Sequence, residues 1–146
     1  MRRVAVLGST GSIGVSTLDV LARHPDRYTV TALAASTRRE ALAEQCLRFR
    51  PRIAVLEDPV GARVLADDLR AAGCPTEVLC GAQALAEVAG GSEVDVVMAA
   101  IVGAAGLPST LAAASSGKQV LVANKESLVL AGALVVEAAR ASGATI

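Results

Sequence analysis

Aromatic side chains are almost absent, with one Phe, one Tyr and no Trp in 146 residues. That removes the stacking platforms on which single-strand nucleic-acid binders depend. Neither charge sign is in excess, because 14 Lys and Arg balance 14 Asp and Glu. A binder of nucleic acid or of an anionic membrane surface needs a concentrated positive field, and none is encoded. Long hydrophobic runs are also missing. The longest, Val96 to Leu107, is interrupted by two glycines and falls short of the roughly 20 residues that cross a bilayer. Met1-Arg2-Arg3 leads directly into a strand-like run, which leaves no room for a signal or transit peptide. The expectation is a bacterial cytoplasmic chain, or one without its presequence.

The reactive side chains are few. Cys46, Cys74 and Cys80 are odd in number and match no zinc or redox spacing, so they read as reduced thiols. His24, the sole histidine, precedes Pro25 and reads as a helix C-terminal residue favoured by the dipole. There is no histidine pair, no carboxylate cluster at metal-ligand spacing and no nucleophile beside a base. Asp67 and Asp68 fall in a helical stretch, where adjacent side chains diverge. Catalytic machinery is not expected in these residues.

What is present is small and apolar: 30 Ala, 19 Val and 17 Leu. A chain of this length buries roughly 70% of its unfolded surface, enough for one core without a disulfide or metal. Short β-branched runs alternate with longer Ala/Leu stretches, which is the pattern of β-α units feeding a parallel sheet. Strands are predicted at 3–7, 28–34, 52–56, 76–79, 94–100 and 119–123, with an incipient seventh at 144–146. Helices are predicted at 12–24, 38–49, 59–72, 81–89, 106–116 and 126–142. Ile13, Thr17, Val20, Leu21 and His24 would share one face of the first helix, and Val60, Val64, Leu65 and Leu69 one face of the third. Leu42, Cys46 and Phe49 have the spacing of a buried face of the second. The fold class expected is α/β: a doubly wound, mostly parallel sheet of about seven strands with helices on both faces, Rossmann-like.

Four segments carry chemistry. Val4 to Leu7 runs into Gly8-Ser9-Thr10-Gly11-Ser12-Ile13-Gly14, a buried strand followed by a glycine-rich turn that opens a helix. In such a turn Gly8 allows the tight bend, Gly11 lets backbone approach a phosphate and Gly14 lets helix pack on strand. The free amides from Thr10 to Ile13 would then face an anion. The spacing is G-x-x-G-x-x-G, and three glycines are also compatible with a ligand-free turn. Val15-Ser16 stands where a nucleoside-triphosphate loop needs Lys-Ser/Thr, which disfavours ATP and GTP. The second strand ends in Ala35-Ser36-Thr37-Arg38-Arg39, without the carboxylate that accepts from an unphosphorylated ribose. Two hydroxyls and two guanidinium groups suit a 2′-phosphate, so NADPH is the expected cofactor, although Arg38 or Arg39 also suits a solvated helix face.

The third segment, Met98 to Leu107, includes Ala100 and Ile101 and presents small residues beyond the fifth strand. A nicotinamide or ribose fits against such backbone, and tight helix packing explains it equally well. The fourth, Ala123-Asn124-Lys125-Glu126-Ser127, delivers polar groups at a strand's carboxyl end, where ligands of open α/β sheets bind. Helix capping and a turn are the alternative uses of Asn124, Glu126 and Ser127. Lys125 is one of only two lysines, and a substrate phosphate or carboxylate is its expected partner.

Taken together, Gly8-Ser9-Thr10-Gly11-Ser12-Ile13-Gly14, Met98 to Leu107 and Asn124-Lys125-Glu126-Ser127-Leu128 make the chain resemble the 1-deoxy-D-xylulose 5-phosphate reductoisomerase family along essentially its whole length. The resemblance implies rearrangement of that sugar phosphate and hydride transfer from NADPH in non-mevalonate isoprenoid biosynthesis, assisted by Mg²⁺ or Mn²⁺. It also implies a full-length homodimer. Carried over by position, Thr10, Gly11, Ser12 and Ile13 would bind cofactor phosphates, Asn124 and Glu126 would contact its nicotinamide side, and Lys125 would contact substrate. Ser36-Thr37-Arg38 departs from the Gly-Lys-Asn common in the family, which leaves the 2′-phosphate to Arg38 or Arg39 on charge grounds. The family's metal carboxylates follow just beyond Ile146. Residues 1–146 are thus expected to be the NADPH-binding domain, inactive alone, with the catalytic metal-binding and C-terminal domains outside this chain. Competing readings are the cofactor half of another NADP-dependent reductase and a freestanding nucleotide-binding regulatory module.

Overall fold

A computed structural model describes all residues from Met1 to Ile146. Six strands, β1 (Arg2–Leu7), β2 (Tyr28–Ala35), β3 (Ile53–Leu56), β4 (Glu77–Cys80), β5 (Val96–Ala99) and β6 (Gln119–Val122), form one sheet. Six helices alternate with them: α1 (Ser12–Ala22), α2 (Arg39–Phe49), α3 (Pro59–Ala71), α4 (Gly81–Gly90), α5 (Leu107–Ser115) and α6 (Glu126–Ser142). A 3₁₀ turn, Ala104–Gly106, leads into α5.

All pairings are parallel, in the order β4-β3-β2-β1-β5-β6. Strands that bury both faces must be apolar without a break, which is why Val4-Ala5-Val6-Leu7 reads as a continuous run. Its side chains alternate between two cores. Val4 and Val6 join Leu18, Leu33, Leu42, Cys46 and Leu65 from the α1–α3 side, whereas Ala5 and Leu7 join Val88, Ala89, Val97 and Ala113 from the α4–α5 side. The chain therefore winds outward from β1 to β4 with helices on one face, then returns to β5 with helices on the other. The reversal lies between β1 and β5, and open α/β sheets bind ligands at the carboxyl ends of the two strands flanking such a point.

The expected architecture holds with three corrections. The sheet has six strands rather than about seven, because the predicted strand at 144–146 makes only a single bridge, Thr145 beside Gln119. In α1 the buried residues are Gly14, Leu18 and Leu21, while Ile13 and Val20 are exposed. Close seating of Gly14 on the preceding turn sets that rotation, and apolar spacing alone did not reveal it. In α3 the buried face is Gly61, Ala62, Leu65 and Leu69, with Val60 outside. One further detail was not anticipated: α6 is kinked at Ala131 (φ −149°, ψ 36°), beside Gly132.

At the opposite end of the sheet, Asp95 just before β5 is bound to β1. Its carboxylate accepts from the Arg3 amide at 2.8 Å and from the Arg3 guanidinium at 2.8 and 3.1 Å. The side-chain hydrogen bonds from Arg3, then the amide, hold the Asp95 carboxyl well below its usual range. This clamp fixes the two central strands against each other, and so fixes where their other ends emerge.

Candidate functional site

The turn after β1 is built by hydrogen bonds to both neighbouring strands. Gly8 and Ser9 N–H both donate to Ala34 O at 2.9 Å, and Ala100 N–H donates to Leu7 O at 2.9 Å. Gly8 has φ +86°, and a Cβ there would lie 2.5 Å from Ala100 O. At Gly14 a Cβ would lie 2.2 Å from Gly8 O. The fold itself thus requires glycine at both positions. Gly11 differs: its backbone is extended (φ −77°, ψ 174°), and a Cβ would meet only Gly8 O, at an ordinary 3.6 Å.

Gly11 caps α1 without any side-chain hydrogen bond, and the helix's first internal bond is Val15 N–H to Gly11 O at 2.9 Å. The amides of Thr10, Ser12, Ile13 and Gly14 are therefore left without a main-chain acceptor, as at any helix start, whereas that of Gly11, expected to be free as well, donates to Gly8 O at 3.3 Å across the turn. With the positive end of the helix dipole behind them, the free amides are donors of the kind that receive an anion at a helix start. Ser12 and Ile13 are exposed and Thr10 is half-buried.

The segment after β2 closes over the same turn. Arg38 Nη1 donates to Thr10 O at 3.2 Å, and Gln45 Nε2, from α2, donates to Ser9 O at 2.8 Å. Thr37, Arg38, Arg39, Glu40 and Ala41 line a surface cavity of about 430 Å³ at the start of α2. Arg39 is half-buried there, with its Nε unpartnered. Ser36 Oγ donates to Glu57 Oε2 at 2.7 Å. A carboxylate does reach the end of β2, then, delivered from the end of β3 rather than from β2 itself.

On the other side, the backbone after β5 passes directly over Gly8. Ala100 and Ile101 are half-buried there, and Val102 beyond them is 82% exposed. Asn124 is buried, and its Nδ2 donates to Ile101 O and, at 3.4 Å, to Gly103 O. Its Oδ1 accepts from Glu126 N–H at 2.9 Å. The side chain of Asn124 is thereby committed to three main-chain groups, bracing the β5 loop against the start of α6. Lys125 and Glu126 are exposed.

A sequence model of the 1-deoxy-D-xylulose 5-phosphate reductoisomerase family matches residues 4–132. The chain belongs to that family. Among curated reductoisomerases it is 61% identical to that of Cellvibrio japonicus, over 98% of this chain and 36% of the relative. It is 56% identical to that of Pseudomonas fluorescens, over 100% and 37%. The chain thus spans a little over a third of the length of these relatives. Its structure superposes with a TM-score of 0.97 on a DOX-P reductoisomerase crystallised with NADPH, fosmidomycin and magnesium, at 46% identity, covering 100% of this chain and 36% of that one. With the Zymomonas mobilis reductoisomerase in complex with NADPH the TM-score is 0.92 at 49% identity, covering 99% and 37%.

Within this reductoisomerase frame, the residues singled out from sequence converge. The turn from Gly8 to Gly14, the Ser36–Arg39 segment and the Ala100–Ile101 backbone are joined by direct hydrogen bonds or close packing. Asn124 joins through Ile101. Lys125 and Glu126 stand at the start of α6 without an ion pair. No three His, Cys, Asp or Glu residues come together in a way that holds a metal ion. All three cysteines are free; burial, then the nearby Cys74, pushes the Cys46 thiol up to about 12, which makes it inert at neutral pH. No helix is long and apolar enough to cross a membrane.

Two participants escaped the sequence reading. Glu57 is 21 residues from Ser36, and nothing local announces their meeting. Gln45 did carry a signal: with Leu42, Cys46 and Phe49 it occupies the i, i+3, i+4, i+7 face of α2, a polar residue at an apolar position.

Proposed function

We propose that residues 1–146 form the NADPH-binding domain of an NADP-dependent reductoisomerase. The full-length enzyme would convert 1-deoxy-D-xylulose 5-phosphate to 2-C-methyl-D-erythritol 4-phosphate in non-mevalonate isoprenoid biosynthesis. One observation carries the reading: Gly11, the glycine that the chain's own packing does not demand, stands among amides that have no acceptor. The family membership and the relatives solved with NADPH support it.

The residues fit the cofactor chemically. Thr10, Ser12 and Ile13 would hold its diphosphate through main-chain donors, with Gly11 letting the phosphate approach the backbone closely, leaving recognition independent of side-chain charge. Ser36 Oγ–H donates its hydrogen bond to Glu57, so it offers an acceptor to a ribose hydroxyl and no donor to a phosphate. Gripping a 2′-phosphate would therefore fall to Thr37, Arg38 and Arg39, two of which bring forked, permanently charged donors. Ala100 and Ile101 would give the nicotinamide half a flat wall of main chain. Asn124 keeps that wall in place, with Glu126 at its edge, and Lys125 would meet the substrate. Bound NADPH supplies the hydride. A Mg²⁺ or Mn²⁺ ion would hold and polarise the substrate's oxygens, with ligands from outside residues 1–146. On this reading the catalytic metal-binding and C-terminal domains lie outside this chain, residues 1–146 bind cofactor without turnover, and the full-length enzyme is a cytoplasmic homodimer.

Titration calorimetry with NADPH and NADH tests the assignment. Residues 1–146 should bind NADPH more tightly, and Arg38→Ala or Arg39→Ala should weaken NADPH roughly 10- to 100-fold, the value of a charged hydrogen bond, while leaving NADH nearly unchanged. Equal affinities for the two cofactors would reject it.

A further inference from the structure

We infer that Gln45 is a positioning residue for the diphosphate site, holding the glycine turn so that the Thr10 amide faces the ligand; the inference rests on the cofactor reading above. Gln45 Nε2 donates to Ser9 O at 2.8 Å. In a trans peptide the carbonyl and the following N–H point in opposite directions. Fixing Ser9 O toward α2 therefore fixes the Thr10 N–H away from it. Arg38 does the same for the next peptide by holding Thr10 O, but Arg38 is exposed and Gln45 is half-buried, so Gln45 is the permanent brace.

The brace carries a stability penalty. Gln45 Oε1 is buried without a partner, and so is the hydroxyl of Ser9, a residue with no exposed surface. Buried unsatisfied polar atoms are destabilising. The neighbours on this face of α2, Leu42 and Cys46, are fully buried, and leucine would suit position 45 on packing grounds alone. A glutamine there makes sense as an amide donor aimed at the turn. The same helix begins with Arg38 and Arg39, so α2 ties the 2′-phosphate cations and the diphosphate turn into one unit.

The test is calorimetry on residues 1–146 with two probes, NADPH and adenosine 2′-monophosphate, which has a 2′-phosphate but no diphosphate. Gln45→Leu removes the unpartnered Oε1 but leaves the buried Ser9 O without its donor, so the thermal midpoint should fall by no more than several degrees while NADPH binding weakens roughly tenfold, equivalent to one charged hydrogen bond. Its affinity for adenosine 2′-monophosphate should stay within about twofold, since that probe engages only the start of α2. Gln45→Glu, of the same shape but without the donor, should weaken NADPH at least as much. Unchanged NADPH binding in both variants would overturn the brace while leaving the cofactor site standing. Equal loss for both probes would also overturn it, since that pattern follows from a displaced α2. A wild-type chain that binds neither probe would overturn the inference together with the reading beneath it.

Discussion

Gly11→Ala separates the demands of the fold from those of the ligand. The backbone at Gly11 is already extended, at φ −77° and ψ 174°, so alanine adopts it without strain. The added methyl meets only Gly8 O, at 3.6 Å. A glycine replaced under those conditions gains about 0.4–1 kcal/mol through lost freedom in the unfolded chain, but Gly11 is the N-cap of α1, where alanine is disfavoured by a similar amount. The two effects offset, and the thermal midpoint should stay within roughly 3 °C of wild type. Ligand binding should change far more. A methyl among the free amides keeps a phosphate from close approach, and losing one charged hydrogen bond at about 1.5–3 kcal/mol weakens affinity roughly 10- to 100-fold. Gly14→Ala makes the contrast, because its methyl would lie 2.2 Å from Gly8 O and should cost about 1–3 kcal/mol of stability as well as binding. Differential scanning calorimetry and NADPH titration on both variants decide the matter. A Gly11→Ala chain that binds NADPH like the wild type, at undiminished stability, would refute the claim that this turn cradles a diphosphate.

Three more outcomes are expected. Glu57→Gln removes a negative charge beside the proposed 2′-phosphate ligands and should raise the NADPH/NADH affinity ratio about threefold, the order of one unit charge screened by water and salt; an unchanged ratio would show that Glu57 does not face the phosphate. Asp95 has a depressed pKa through its bonds from Arg3, so its contribution to stability is complete above the unfolded carboxylate value of about 4 and fades as pH falls further. In urea titrations Asp95→Asn should therefore be less stable than wild type at pH 7, with the gap closing toward pH 2; a gap independent of pH would contradict this. Finally, α6 leaves Val129, Leu130, Leu134 and Val136 largely exposed, so residues 1–146 should self-associate and bind an apolar dye. Leu130→Glu combined with Leu134→Glu should abolish both effects in light scattering and fluorescence, and persistence of both would place the adhesive surface elsewhere.

How far the sequence could be read follows from where its signals lie. The central strands are legible because parallel strands buried on both faces are unbroken apolar runs, as in Val4 to Leu7, and Gly73, Gly117 and Gly143 mark where helices stop, each with positive φ. The glycine turn was equally plain, since strand, turn and helix are contiguous. What stayed hidden depends on contacts between distant segments. The rotation of α1 is set by Gly14 against Gly8 and Ser9, and the apolar pattern of Ile13 and Val20 misled. The second strand's end lacked a carboxylate in linear order, yet β3 lies alongside and brings Glu57 to Ser36. Asn124 reads from sequence as a ligand contact or a turn residue; its hydrogen bonds to Ile101 and Gly103 join segments more than 20 residues apart, and no local pattern announces them. The seventh strand was inferred from three residues, and a single bridge is what they make.

The most direct test of the central claim is a ¹⁵N-edited NMR titration of residues 1–146 with NADPH. Cradling of the diphosphate by main-chain donors predicts that the amide resonances of Thr10, Ser12 and Ile13, which have no acceptor within the chain, move furthest, and that the same three respond to ADP-ribose, which lacks the nicotinamide. Saturation with NADPH while those three resonances stay in place, with the changes gathered elsewhere on the sheet, would contradict it.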